Sequence, residues 1–291
     1  MALPLKVGIN IVFVRPDAVV EVSKAAEDLG FESVWSGEHV ALPVRDDWWK
    51  KYPSVVAAGD AGTERHVPFR PETPFVDPMT VLAFVASATK TIRLGIGIYM
   101  LALRNPILVG RTIATLDLMS GGRLDLGVGL GWTPWEYEFT ENDWATRGRR
   151  LDETICCLRV LFEEDQPEFH GEFFNFEKIG FQPKPAQHPL PIYIGGSSAP
   201  AVTRAARLGN GWHGGTNFIP AIKRELAEAG RADEPFVFST IQMGAAPTRD
   251  DLLRTADEGA HRAVVVPWRS RKPVGPEGVE ILQDYAKAIG L

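Results

Sequence analysis

The turn Gly195-Gly196-Ser197-Ser198 ends an apolar run, Pro191–Ile194, and opens a helical stretch near Ala199. It offers unpaired backbone N–H groups, two hydroxyls and the positive end of a helix dipole, the requirements for holding a phosphate. The same residues also suit an ordinary strand–helix turn with a serine cap. His39, beside Glu38, follows the apolar segment Ser33–Ser36. An imidazole titrates near neutrality, so a histidine at a strand end can exchange a proton or can simply brace a neighbouring loop. His213 ends another apolar segment and admits the same two readings. The run Gly127-Val128-Gly129-Leu130-Gly131 superficially resembles a dinucleotide fingerprint, but its spacing is wrong and no helix follows at once. Its glycines suit close backbone approach to a flat ligand. His39, Glu38 and His213 lack the H-x-H or H-E-x-x-H spacing of a metal site, so no metal is expected. A hydrolase triad is equally unsupported, because no G-x-S-x-G elbow occurs.

These residues all follow short apolar segments, and the elements between them explain why. Lys6–Val14 is rich in β-branched residues, then Val19, Val22, Ala26 and Leu29 recur at helical spacing until Gly30. Ser33–Ser36 reads as a second strand, and Asp77–Pro78 opens a helix with a cap and a proline at its first position. A strand over Arg93–Met100 precedes a helix from about Ile107 to Ser120, stopped by Gly121–Gly122. A fourth strand spans Leu124–Val128, and Leu151, Ile155, Leu158 and Phe162 share one face of the helix after it. Strands near Ile192–Ile194, Gly211–His213, Phe236–Met243 and Ala263–Val266 alternate with helices near Ala199–Leu208, Ala221–Ala229, Arg249–Asp257 and Glu277–Ile289. The strands are mostly continuous apolar runs, as in a parallel sheet buried on both faces. Eight such alternations favour an α/β fold of the closed (β/α)8 TIM-barrel type over an open doubly wound sheet.

Two stretches interrupt the alternation, at about 43–74 and 163–191, and loops this long in a compact domain are usually functional or disordered. Both are expected as insertions at the C-terminal mouth, the first, which follows a strand, as a lid. With no linker or repeat visible, residues 1–291 read as a single domain. The chain has 45% hydrophobic residues and a net charge of −6, which argues against disorder and against a nucleic-acid or anionic-membrane partner. The adjacent Cys156 and Cys157 point about 100° apart in a helix, so they read as core thiols of a reducing compartment. No secretory signal is visible near Met1–Val7, and the longest apolar run, Ile96–Leu103, is too short to span a bilayer. A cytoplasmic protein is expected.

Four segments then carry a family resemblance. Ser33–His39 (SVWSGEH), Arg93–Pro106 (RLGIGIYMLALRNP), Ala114–Trp132 (ATLDLMSGGRLDLGVGLGW) and Pro191–Ser198 (PIYIGGSS) resemble, in this order, the bacterial luciferase-like flavin and deazaflavin oxidoreductases. The resemblance implies a barrel whose mouth holds the tricyclic ring of coenzyme F420 or flavin mononucleotide (FMN), with the phosphate on Gly195, Gly196, Ser197 and Ser198. His39 matches a histidine that the deazaflavin branch carries near the reactive carbon. Gly97-Ile98 matches a bulge supporting the ring from behind, Asn105 matches an asparagine beside the cofactor, and Gly129 and Gly131 join the cofactor-facing set. One departure stands out: the sugar-phosphate dehydrogenases of this family place a glutamate near the position of Trp132, whereas here Glu136 and Glu138 come further along. A tryptophan there, with Trp48 and Trp49 on the lid, suits an apolar or planar small-molecule substrate.

The resemblance therefore implies an oxidoreductase moving a hydride between F420 and an organic substrate. An FMN-dependent monooxygenase using dioxygen is the alternative, and a cofactor-binding protein with little turnover is a third. His39 and the short single-chain barrel favour the deazaflavin, and Arg45, Lys50, Lys51, Arg65 and Arg70 are basic residues suited to an anionic tail. Family members are commonly dimers, so a homodimer is possible. A strand end that presses on the middle of a ring must protrude, which a trans extended strand does not do. The Gly97–Ile98 bond, or one beside it, is thus expected to be cis, with glycine relieving the crowding.

Overall fold

The computed structural model describes residues 2–42, 44, 72–242, 244–268 and 273–291. The expected alternation is present. The barrel strands are β1 (Lys6–Asn10), β2 (Ser33–Ser36), β3 (Arg93–Tyr99), β4 (Leu124–Val128), β7 (Ile192–Gly195), β8 (Gly211–His213), β9 (Val237–Gln242) and β10 (Arg262–Val265). They pair in parallel around a closed ring in that order, β10 returning to β1 through Lys6↔Arg262 to Ile9↔Val265. The fold is a (β/α)8 TIM barrel. Every residue of β2, β4, β7 and β10 is buried, in keeping with their mostly apolar sequences.

Around the strands lie α1 (Val19–Asp28), α2 (Pro78–Ala88), α3 (Pro106–Met119), α4 (Pro134–Phe139), α5 (Arg147–Glu163), α6 (Ala199–Leu208), α7 (Ile219–Glu228), α8 (Arg249–Asp257) and α9 (Gly278–Ile289). Their ends follow local chemistry. Asp77 caps α2, its Oδ1 accepting from Thr80 N at 2.8 Å ahead of a proline at the first turn. Gly30 takes a left-handed φ of 85° after α1, while Gly30 N and Phe31 N close onto Glu27 O and Ala26 O. Gly121 and Gly122 stop α3 in the same way, their N–H groups reaching Leu118 O and Asp117 O. On α5, Leu151, Ile155, Leu158 and Phe162 share the buried face, and truncating one of these to alanine costs about 2–5 kcal/mol.

The N-terminal end of the barrel is closed by charge. Arg262 bonds Glu32 Oε1 at 2.5 Å and Asp125 Oδ2 at 2.9 Å, and Arg93 bonds Asp125 Oδ1 at 2.5 Å. Asp125 is fully buried between the two guanidiniums. Burial works against the charge on Arg262, but Asp125 and Glu32 outweigh it and raise its pKa overall.

Several expectations need correction. β1 ends at Asn10, not Val14, because the Asn10 side chain accepts from Val12 N at 2.9 Å and turns the chain. Cys157 is buried as expected but Cys156 is exposed, since one helix face cannot hold two neighbours. The 163–191 stretch is an ordered excursion entering β7 at its N-terminal end, opposite the mouth. It carries a hairpin, β5 (Phe169–His170) with β6 (Asn175–Phe176), and Glu153 of α5 holds its turn by accepting from Glu172 N, Phe173 N and Phe174 N. Most of the expected lid lies outside the described residues.

Candidate active site

The C-terminal strand ends surround a cavity of about 180 Å³, lined in part by His39, Phe75, Ile98, Met100, Gly131 and Trp132. A larger groove of about 670 Å³, lined by Phe84, Arg111 and Met119, runs between α2 and α3 on the outside of the barrel. Size alone would select that groove, but it is lined mainly by α2 and α3, whereas the smaller cavity is lined by residues that follow the strands, where barrel chemistry sits.

His39 leaves the end of β2 and meets Glu136 of α4, with Nδ1 3.2 Å from Oε2. Glu136 is fully buried and also accepts from Val40 N at 2.6 Å and from the Thr133 hydroxyl. Rings enclose the imidazole: Phe75 lies 4.9 Å away edge-on, and Trp132 lies 5.7 Å away edge-on. Trp135 stands edge-on to Trp132 at 5.6 Å, and its indole N–H donates to Ala41 O at 3.2 Å, fastening the His39 loop to α4. Glu38, although next in sequence, turns elsewhere: it accepts from Met100 N at 2.9 Å and pairs with Arg104. Burial pushes the Glu38 carboxyl above the ordinary carboxylate range, with Arg104 and the Met100 N–H opposing the rise.

The floor is built on β3. The Gly97–Ile98 peptide is cis, and the register with β4 shifts between Ile96 and Tyr99. Ile98 faces the cavity, and the neighbouring glycines exist to admit it. A Cβ on Gly195 would lie 2.4 Å from Ile98 Cγ2, and one on Gly129 would lie 3.1 Å from Ile98 Cδ1. Gly129 therefore makes room for Ile98 and not directly for a ligand. Gly131 does line the cavity, at φ 68° with space for a Cβ taken by Met100 Sδ at 2.5 Å.

Beyond Ile98 lies the β7–α6 turn. Gly195 is buried and Gly196, Ser197 and Ser198 are exposed. Ser198 is the N-cap of α6 by position, yet its side chain makes no capping bond. Gly196 takes φ 151°, with Ala201 Cβ 2.6 Å from where its own Cβ would be. The plain serine-cap reading is thus not realised: the Ser198 hydroxyl makes no cap, while at the helix end Pro200 has no N–H and Ala201 N bonds Ser198 O at 3.0 Å. Ile98 thus lies between the start of the Gly195–Ser198 turn and the aromatic cavity with His39, and a turn of this composition could hold a phosphate.

The remaining expected residues separate. Asn105 is exposed and caps α3, its Oδ1 accepting from Ile107 N at 3.0 Å and Leu108 N at 3.4 Å, so it does not line the cavity. His213 is a buried structural residue: it stacks on Trp35 at 4.4 Å, and its Nε2 is 2.4 Å from where a Gly97 Cβ would sit. Burial, then the charge of Arg262, push its pKa down to about 3, so it exchanges no proton near neutrality. Trp48, Trp49 and the basic residues of the lid lie outside the described residues. The described residues with metal-ligand spacing, Glu168, His170 and Glu177, are exposed on the β5–β6 hairpin, away from this cavity. Glu136 is a site residue that sequence reasoning missed, as are Asn10, Phe75 and Met100 of the cavity lining. Thr133-Pro134-Trp135-Glu136 has the spacing of a capping box, and that local signal conceals a distant partner.

A family model described as luciferase-like monooxygenase matches residues 6–277. The chain belongs to that family. It is 33% identical over 264 residues to an uncharacterized protein of Mycobacterium tuberculosis, covering 89% of this chain and 87% of that one. It is 27% identical to an F420-dependent glucose-6-phosphate dehydrogenase of Amycolatopsis mediterranei, over 81% of this chain and 66% of that one. An FMNH2-dependent dimethylsulfone monooxygenase of Pseudomonas putida is 33% identical over 42% of this chain and 35% of its own length. Two solved structures share the barrel fold. Monooxygenase RslO1 from Streptomyces bottropensis has a TM-score of 0.74 at 19% identity, covering 98% of both chains. An F420-dependent secondary alcohol dehydrogenase bound to an F420–acetone adduct has a TM-score of 0.74 at 18% identity, covering 99% of both chains. Luciferase-like relatives thus include both F420-dependent and FMN-dependent oxidoreductases. Among the described residues, no helix is long and apolar enough to cross a membrane.

Proposed function

We propose that the chain is an F420-dependent oxidoreductase that moves a hydride between the deazaflavin and a small, apolar or planar organic substrate. The observation that carries this reading is His39 in an aromatic cavity that Ile98 also lines, with Ile98 Cγ2 2.4 Å from where a Cβ on Gly195 would sit at the start of the Gly-Gly-Ser-Ser turn. We read it as a single-domain cytoplasmic enzyme. The deazaflavin, when bound, supplies or accepts the hydride. Gly195, Gly196, Ser197 and Ser198 would hold its phosphate through backbone N–H groups, hydroxyls and the α6 dipole. Ile98 would support the ring, and Trp132 and Phe75 would bind the substrate by ring contacts and exclude water. His39 gives the substrate the proton that accompanies the hydride, or takes it in the reverse direction. Asn10, Glu38 and His39 are the side chains with N or O atoms lining the described cavity outside the Trp132 indole, so a substrate with one oxygen or nitrogen beside the reacting carbon suits it best.

Reduced F420 mixed with the purified protein and a panel of carbonyl and conjugated acceptors tests this reading. Reoxidation that depends on both protein and acceptor is the expected result. A protein that binds the cofactor but reoxidises it with no acceptor is the low-turnover alternative. The phosphate turn serves FMN equally well, so the second reading is an FMN-dependent monooxygenase, for which substrate oxidation would require reduced flavin and dioxygen.

A further inference from the structure

We propose that Glu136 is the positioning residue for His39: it holds the imidazole as the Nδ1–H tautomer and thereby makes Nε2 the nitrogen that exchanges the proton. The inference rests on the acid–base reading of His39 above. It starts from a buried carboxylate in an uncommon place. Glu136 is the third residue of α4 and is fully buried, although carboxylates are rarely buried without dedicated partners. At that position a glutamate normally folds back to close a capping box, but Thr133 makes no side-chain cap on α4. Instead Glu136 spends its acceptors across the site.

Oε1 accepts from Val40 N at 2.6 Å, while Oε2 accepts from the Thr133 hydroxyl and lies 3.2 Å from His39 Nδ1. A carboxylate only accepts, so the Nδ1 contact is a hydrogen bond when the hydrogen sits on Nδ1. The neutral ring then carries its lone pair on Nε2, the arrangement by which a buried carboxylate fixes a general base. The same residue ties down both the ring and the backbone following it, so tautomer and placement are set together. Among the described residues, the other charged groups near His39 do not compete for the role. Glu38 is paired with Arg104, Asp77 caps α2, and Phe75 and Trp132 contribute rings.

The tautomer is readable without any turnover. In protein labelled with 15N-histidine, long-range 1H–15N spectra distinguish a protonated Nδ1 from a protonated Nε2, and His39→Ala assigns the signals. Wild-type His39 in its neutral form should show hydrogen on Nδ1. Glu136→Gln, nearly isosteric, presents an amide that can donate to Nδ1, and should abolish that preference. It should also lower kcat by roughly 10²-fold, within the ~10⁴-fold seen when an orienting aspartate becomes asparagine, with cofactor Kd unchanged. Glu136→Asp should recover part of kcat and the Nδ1–H signal. A wild-type Nε2–H tautomer, or a Glu136→Gln variant with unaltered tautomer, would overturn the proposal. Should His39→Ala keep full turnover while the Nδ1–H tautomer is present, the acid–base reading fails and the positioning geometry stands.

Discussion

The two ends of this barrel are made by the same strands and treat polar groups in opposite ways. At the N-terminal end, Glu32, Arg93, Asp125 and Arg262 neutralise one another, and the strand starts are sealed by charge. At the mouth, small residues and rings dominate: Gly131, Ile98, Phe75 and Trp132 face the cavity, and Ser197 and Ser198 keep their hydroxyls out of helix capping. The mouth therefore keeps space beside its paired carboxylates, whereas the base sets its charges against one another. On the proposed function, stability and ligand chemistry sit at separate ends, and substitutions at one should leave the other nearly untouched.

The largest expected effect that separates them is at the mouth. His39→Ala should lower turnover by about 10²–10⁴-fold, as for a lost general acid–base group, with Tm and cofactor Kd little changed. Steady-state kinetics beside a thermal melt checks this, and a matching fall in Tm would join the two ends after all. At the base, Asp125→Ala leaves Arg93 and Arg262 without their shared buried partner. A stability loss of about 3–5 kcal/mol is expected in denaturant unfolding, while the folded fraction binds cofactor normally. The smallest effect concerns the turn: Ser197→Ala should weaken cofactor binding by about 1 kcal/mol, read as a severalfold rise in Kd with no change in stability. Gly195→Val serves as its extreme control, because a Cβ there meets Ile98 at 2.4 Å and should remove binding entirely.

Much of this division is written in the sequence, and what is missing has a physical reason. Periodicity gives the alternation, because a buried parallel strand needs an unbroken apolar run and a surface helix needs a stripe. Capping rules place α2 from Asp77–Pro78, and the same rule applies at Asn105–Pro106, where the family resemblance drew attention to a cofactor role instead. α4 is six residues long, too short to display a helical period, and it is the element that delivers Glu136. The Glu136–His39 contact joins residues 97 apart in sequence, so no local pattern announces it. The hairpin of 163–191 has two-residue strands and depends on Glu153 of a separate helix. His213 reads as a strand-end histidine in sequence, and only its stacking on Trp35 from another strand shows it to be structural. The glycines at 129 and 195 signal close approach correctly but not of what, since the body that approaches them is Ile98.

The central claim is that the mouth is built around a deazaflavin, and paired fluorescence titrations test it most directly. Coenzyme F420 and FMN are each titrated into the purified protein under the same buffer and salt, with Gly195→Val as the non-binding reference. The account predicts saturable binding of both through the shared phosphate turn, with F420 clearly tighter. A clear preference for FMN would contradict it.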